Sequence, residues 1–326
     1  MKALKKYRWP LTGALLGVLV FLAVYGVRVL DPTSVDWILN SLSPDPIQHY
    51  LGWELFRRSP VHLPYIGANY NAIYPFRTSV LFTDSLPLAA LFFKLLGGIL
   101  PTRFQYFGWW GLLCYALQGG LAQAVIARIA GVQPTFGRDD KSKAAISMSP
   151  GQTAKLWGSV LGAGVLVLFP ALTIRMFAHT ALAANWLVLL ALYLWLRSDE
   201  LMPTTRRACL IWGGMGLLCA GIHLYYLPMV GLVLVGYAVR RALQKRGPAA
   251  VLAPIAAFCA AALAELVLLG AFAVNFAGYS NGYLSGADYF GLFVPWLAQS
   301  WEQNVYAGVG TSLAVVLAVF GIVCNA

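Results

Sequence analysis

Long apolar stretches separated by short basic or Gly/Pro-containing turns recur along most of the chain. Residues 11–30, 107–130, 156–173, 182–196, 251–274 and 305–323 are continuously apolar rather than alternating, which selects helices over strands. Most come close to the roughly 20 residues that a helix needs to cross a bilayer core. The stretch 209–239 is too long for one crossing. His223-Leu224-Tyr225-Tyr226-Leu227-Pro228 is expected to divide it into an outward and an inward helix with a tight turn between. The pattern therefore predicts eight spans.

A further apolar segment, 83–100, decides the topology. If it crosses, the basic turns around Lys141, Arg206 and Arg240 face outward, against the positive-inside tendency. If it lies along the outer interface, the inner side holds 16 of the 23 Lys and Arg, in 1–9, 128–155, 197–207 and 240–246. The interfacial reading is adopted, since Lys94 can snorkel from that depth more cheaply than from the bilayer centre. The N-terminus, with Lys2, Lys5, Lys6 and Arg8, is then cytoplasmic. The first run has a basic start like a signal peptide, but it has a full span's length and no clear small-residue cleavage site, so it reads as an uncleaved helix. The last run meets the end of the sequence with no cytoplasmic tail, which predicts a fragment of a longer protein.

Composition narrows the class. A mean hydropathy of +0.70 with 11% charged residues excludes an ordinary soluble domain. Inside lipid only helices or closed barrels satisfy the backbone, so the expected fold is all-α, a polytopic transmembrane helical bundle. It forms a single domain over 1–326, with an outer loop at 31–85, a cytoplasmic loop at 131–155 and a second outer loop at 275–302. The net charge of +11 sits in short turns and not on a soluble basic face interleaved with aromatics, so nucleic acid is not an expected partner. Membrane lipids are. The five cysteines lie in apolar runs without CxxC pairing and read as small buried hydrophobes.

Candidate chemistry concentrates in the 31–85 segment, which carries Asp31, Asp36, Asp45, Glu54 and Asp84, five of the 12 acidic residues. Asp31-Pro32-Thr33-Ser34 reads as a turn, and Glu54 as an ion-pair partner of Arg57 and Arg58. Two roles stay open for Asp45. With Pro46 and Gln48 it makes a capping pattern that opens an amphipathic helix. It could equally activate a hydroxyl or hold a divalent ion. Asp45, Gln48, His49 and Gly52 share one helix face. Asp84 and Ser85 read either as a cap of the interfacial helix or, for Asp84, as a second carboxylate facing Asp45. Arg175 and His179, four apart at an outer turn, could face one phosphate or simply snorkel and cap. His223 with Tyr225 and Tyr226 could line the same cavity or belong to an aromatic belt. Glu265 lies inside a span, where a carboxyl is costly and is a functional hypothesis by default. Asp288 and Glu302 are isolated, and Trp296 and Trp301 read as interface anchors.

Several of these features together resemble the GT-C superfamily of integral-membrane glycosyltransferases. They are one span, a large acidic outer loop, the Asp84-Ser85-Leu86-Pro87-Leu88 segment, a crossing that ends in Ala127-Arg128-Ile129-Ala130-Gly131, and closely paired helices. More closely, Asp45-x-x-Gln48-His49-x-x-Gly52-Trp53, Tyr74-Pro75, Thr83-Asp84-Ser85-x-Pro87-Leu88 and Gln105-Tyr106-Phe107-Gly108 resemble a bacterial family of uncharacterised membrane proteins placed near those transferases. The resemblance implies a GT-C-like bundle in the bacterial inner membrane. It also implies a polyprenyl-phosphate-linked sugar donor and hexosyl or pentosyl transfer at the extracytoplasmic face. Asp45 matches the outer-loop Asp that commonly serves as base or metal ligand, with Mg or Mn the expected ion. Asp84 would be the second catalytic carboxylate, and Gln48, His49, Arg175, His179, His223 and Tyr225 would bind substrate. The chain lacks the paired Asp-Glu dipeptide of some member families. A transporter or lipid flippase is the rival reading, which Glu265 and the dispersed glycines would fit, but transporters commonly carry internal repeats and none stands out. A non-catalytic scaffold would leave the acidic, aromatic loop unexplained.

Overall fold

The computed structural model describes residues 8–273, apart from 71, 73, 74, 76 and 133–148. Among these residues the fold is all-helical, with a single isolated β-bridge between Ala68 and Ser79. The helices are α1 (Arg8–Tyr25), α2 (Asp36–Leu39), α3 (Pro44–Arg58), α4 (Pro87–Leu95), α5 (Phe107–Ile129) and α6 (Pro150–Val167). They continue with α7 (Pro170–Ala178), α8 (Trp186–Leu196), α9 (Ser198–Leu201), α10 (Thr205–Ile222), α11 (Tyr226–Leu243) and α12 (Pro248–Leu268). By length and composition α5, α11 and α12 can each cross a membrane, and the apolar helices at Pro10–Tyr25 and Thr180–Leu196 are shorter.

Close packing of α1 on α5 follows from glycine. A Cβ on Gly17 would stand 2.0 Å from the Tyr115 carbonyl oxygen, and one on Gly13 would stand 2.3 Å from that of Gly119. Without Cβ atoms the two backbones approach to contact, which substitutes for the hydrophobic drive missing between helices in lipid. Gln123, fully buried, accepts from the Gly13 N–H at 2.7 Å and from the Thr12 hydroxyl at 2.8 Å. The α10–α12 pair uses the same device, with a Cβ at Gly216 falling 2.4 Å from the Phe258 carbonyl oxygen.

The long apolar stretch 209–239 breaks as expected. α10 ends at Ile222 and α11 begins at Tyr226. Pro228 lies within the first turn of α11, where its missing N–H costs nothing, so the break itself is made by His223 and Leu224. Opposite ends of these helices carry opposite chemistry. α11 is about 27 Å long. Its start adjoins His223, whereas at its far end Arg240 and Arg241 both pair with Asp199. Arg128, at the end of α5, pairs with Glu200, which also takes Arg197.

Several boundaries differ from the sequence expectation, most clearly around the interfacial segment and α6. The helix assigned to 83–100 forms only over Pro87–Leu95. At about 14 Å it is under half a bilayer core. Residues 83–86 are a tight turn in which Asp84 and Leu86 have φ of 51° and 56°. α6 begins at Pro150, capped by Ser149, so the connector expected at 131–155 is shorter at its far end. α6 also stops at Val167, and the chain turns before Pro170 starts α7. The second outer loop and the final span expected at 305–323 lie outside the described residues, as do Asp288, Trp296, Trp301 and Glu302.

The 31–86 segment is tied down by polar contacts as well as by its aromatic core. Asp31 accepts from the Thr33 N–H and hydroxyl, which makes the expected turn. The Gln105 amide donates to the carbonyls of Val29 and Asp31, both at 2.9 Å. Trp53, fully buried, donates from its indole to the Phe104 carbonyl at 3.0 Å. Asn69 donates to the Gly52 carbonyl, and Ser79 to the carbonyl of Leu269 just past α12. Glu54 pairs with Arg57 and Arg58, and its side chain is more buried than a solvated pair would be, at 13% exposure.

Candidate functional site

Helix α3 starts two residues earlier than its capping pattern suggests, and this changes the role of Asp45. Ser43 is the N-cap, its hydroxyl accepting from the Asp45 N–H, and Pro44 takes the first helical position. Asp45 is not the cap. Its carboxylate stands in the first turn, takes only the Ser43 hydroxyl at 3.4 Å, and faces His179 Nε2 at 3.8 Å. One turn further on, on the same face, is His49, which is 3% exposed.

Asp84 is not a cap either. α4 opens at Pro87 with no side-chain cap, and the left-handed backbone of Asp84 directs its carboxylate to His49, with Oδ2 3.1 Å from Nε2. The turn carrying it is clamped. Ser85 donates to the His49 carbonyl at 2.7 Å, Thr83 and Ser85 share a hydroxyl contact at 2.8 Å, and the buried Tyr106 hydroxyl donates to the Ser85 carbonyl. Gly52 makes this possible, because a Cβ there would stand 2.4 Å from Thr83 Cβ and 2.6 Å from Ser85 Oγ.

Two more histidines reach the same place from helix ends. His179 terminates α7, its N–H bonded to the Arg175 carbonyl. His223 terminates α10. The Tyr225 N–H donates to His223 Nδ1 at 3.2 Å, so the neutral ring carries its proton on Nε2, which points at Asp84 Oδ1 from 3.9 Å. Asp45, His49, Asp84, His179 and His223 thus converge from four separate segments. Ligand atoms of His49, Asp84 and His179 all lie within 4.8 Å of one another, a spacing that could hold a metal ion.

Burial sets the charge state. It holds the His49 imidazole down to about 3, helped by His179 and His223, so this ring is neutral at pH 7. It likewise holds His223 down to about 4, with His179 adding to the effect. Burial first, and then the charge of Asp45, pushes the Asp84 carboxyl up to about 7. Asp84 Oδ1 is buried without a hydrogen bond.

Not every expected residue joins. Gln48 is exposed and makes no hydrogen bond to the cluster's side chains. Arg175 is on α7 one turn before His179 and is partly buried. Tyr225 contributes its backbone and a ring edge to His223, while its side chain is 61% exposed. Thr180, absent from the sequence reading, approaches His49 Nδ1 with its hydroxyl at 3.4 Å. Its one sequence signal is adjacency to His179. A narrow crevice beside His49 is lined by Trp37, Ile38, Pro46, Phe107, Phe177 and Thr180.

A family model, the domain of unknown function DUF6311, matches residues 14–325. The chain belongs to the DUF6311 family. No curated protein and no solved structure matches it. The DUF6311 match spans all five converging residues, from Asp45 on α3 to His223 at the end of α10.

Proposed function

We propose that this DUF6311 chain is a membrane glycosyltransferase of GT-C kind, moving a sugar from a polyprenyl-phosphate donor to an acceptor at the extracytoplasmic face. The observation that carries the reading is the convergence of two carboxyls and three histidines, with Asp45 freed from the capping role that would otherwise explain it. The site lies at the ends of α10 and α11 remote from the arginine cluster of Arg240 and Arg241. Under the positive-inside rule the arginines mark the cytoplasmic side, and the site then faces outward, with the N-terminus inside and α4 at the outer interface. In this reading Asp45, at 31% side-chain exposure, takes the proton of the acceptor hydroxyl as the donor's phosphate departs. Asp84 and His49 hold the floor of the site, and Arg175 steadies the phosphate. Positioning and charge stabilisation supply the catalysis.

One observation favours the rival. Glu265 is 7% exposed on α12, and its Oε2 has no hydrogen bond. A buried carboxyl within a span suits a transporter or flippase. Transfer of radiolabelled sugar from a panel of polyprenyl-phosphate donors, in membranes holding the full-length protein, separates the two. Transfer that Asp45→Asn abolishes at equal expression supports the enzyme. Absence of transfer from every donor, together with Glu265-dependent uptake or lipid movement, overturns it.

A further inference from the structure

We propose that His49, Asp84 and His179 form a binding site for a divalent transition metal ion of the zinc class. The donor set differs from the Asp-centred Mg or Mn site that the superfamily resemblance implies. Two imidazoles and one carboxylate match zinc, cobalt or iron(II), whereas magnesium prefers an all-oxygen octahedron with retained water. Three protein ligands with an open position are also the pattern of a reactive zinc site rather than a structural one.

The geometry carries the assignment. His49 Nε2 and Asp84 Oδ2 are 3.1 Å apart, about the separation of two neighbouring ligands that each lie roughly 2.1 Å from one ion. His49 is fixed from behind by the Thr180 hydroxyl near Nδ1, which orients Nε2 as an outer-shell partner does. Asp84 is held by the Thr83–Ser85 clamp, and its Oδ1 is buried and lacks a hydrogen bond, which leaves a lone pair open to coordination. His179 completes the set within 4.8 Å. At 24% side-chain exposure on the end of α7 it is the most exposed of the three. His223 is excluded from the ligand set, because the Tyr225 N–H occupies Nδ1 and leaves the proton on Nε2. Asp45 stands outside the set, 3.8 Å from His179 Nε2, placed to orient that ring or to meet a molecule at the open position.

The inference does not depend on sugar transfer, and the two can fail separately. The test is equilibrium binding of zinc, cobalt and magnesium, each alone, to the full-length protein in detergent after dialysis against a chelator. Mass spectrometry would give metal per chain, and visible absorption would report cobalt coordination. About one ion per chain and an intense cobalt spectrum are expected. His179→Ala should weaken binding roughly a hundredfold or more, beyond what loss of an outer-shell partner costs. Asp84→Asn should do the same, while Asp45→Asn should cost no more than the loss of an outer-shell partner. His179→Ala changes a partly exposed helix end, so it remains informative if substitution at buried His49 prevents folding. Wild-type protein that binds neither zinc nor cobalt, binds only magnesium, or loses the ion on Asp45→Asn but not on His179→Ala would overturn the assignment. Metal binding without any transfer would keep this site and refute the transferase.

Discussion

Replacing Gly52 by alanine tests whether the site depends on a single missing methyl group. Gly52 is buried in α3, and an alanine Cβ would stand 2.4 Å from Thr83 Cβ, 2.6 Å from Ser85 Oγ and 2.7 Å from Thr83 Oγ1. Ordinary contacts there are about 3.4–4 Å, so the overlap is about 1 Å. The neighbours cannot simply rotate away. Ser85 Oγ is engaged with the His49 carbonyl, and Thr83 Oγ1 with Ser85 and the Val80 carbonyl. Overpacking of this kind costs about 1–3 kcal/mol, and the helix preference of Ala over Gly returns up to about 1 kcal/mol. Relief must come from the 83–86 turn moving off α3, and that lengthens the 3.1 Å His49–Asp84 contact. Thermal unfolding in detergent should therefore show a lower midpoint for Gly52→Ala, by about 2–4 °C per kcal/mol, together with loss of cobalt binding. Gly214→Ala on α10 is the control, since a Cβ there meets nothing within 4 Å. It should be neutral or slightly stabilising. A Gly52→Ala protein as stable as Gly214→Ala, with unchanged cobalt binding, would refute the reasoning.

Trp53→Ala removes a fully buried indole and its bond to the Phe104 carbonyl, so a loss of about 3–5 kcal/mol is expected in chemical unfolding. Gly17→Val should separate α1 from α5, because even a Cβ falls 2.0 Å from the Tyr115 carbonyl oxygen; lower thermal stability and easier proteolysis report it. Chelator-treated protein should lose stability as pH falls from 6.5 toward 4. The folded values of His49 and His223, about 3 and about 4, lie below the ordinary 6.5, so the unfolded chain takes up those protons first. Each contributes at most about 1.4 kcal/mol per pH unit. Asp84, raised to about 7 from 3.8, acts in the opposite sense, its folded form gaining stability as pH falls through 7. Asp84→Asn should consequently steepen the acid-side loss, and a slope unchanged by that variant would count against the buried, protonated carboxyl.

Local pattern alone determined the helical class, the break at His223–Tyr225, the Asp31 turn and the basic ends of α5 and α11. Each depends on hydropathy, a breaker or a charge within a few residues, and such signals survive without knowledge of the rest of the chain. The sequence also picked out most of the site, because a carboxylate or histidine in an apolar chain is conspicuous wherever it lies. Tertiary structure decided what those residues do. Ser43 rather than Asp45 caps α3, a two-residue shift that no capping pattern could exclude, since Ser43-Pro44 and Asp45-Pro46 both begin a helix well. Asp84 turned out to serve His49 and not the helix after it, because the clamp from Tyr106 and the space left by Gly52 come from residues 20 or more positions away. Thr180, the tautomer of His223 and the exclusion of Gln48 likewise depend on which helix ends meet. Helical periodicity places residues on a face, but long-range packing selects which faces, and which ends, come together.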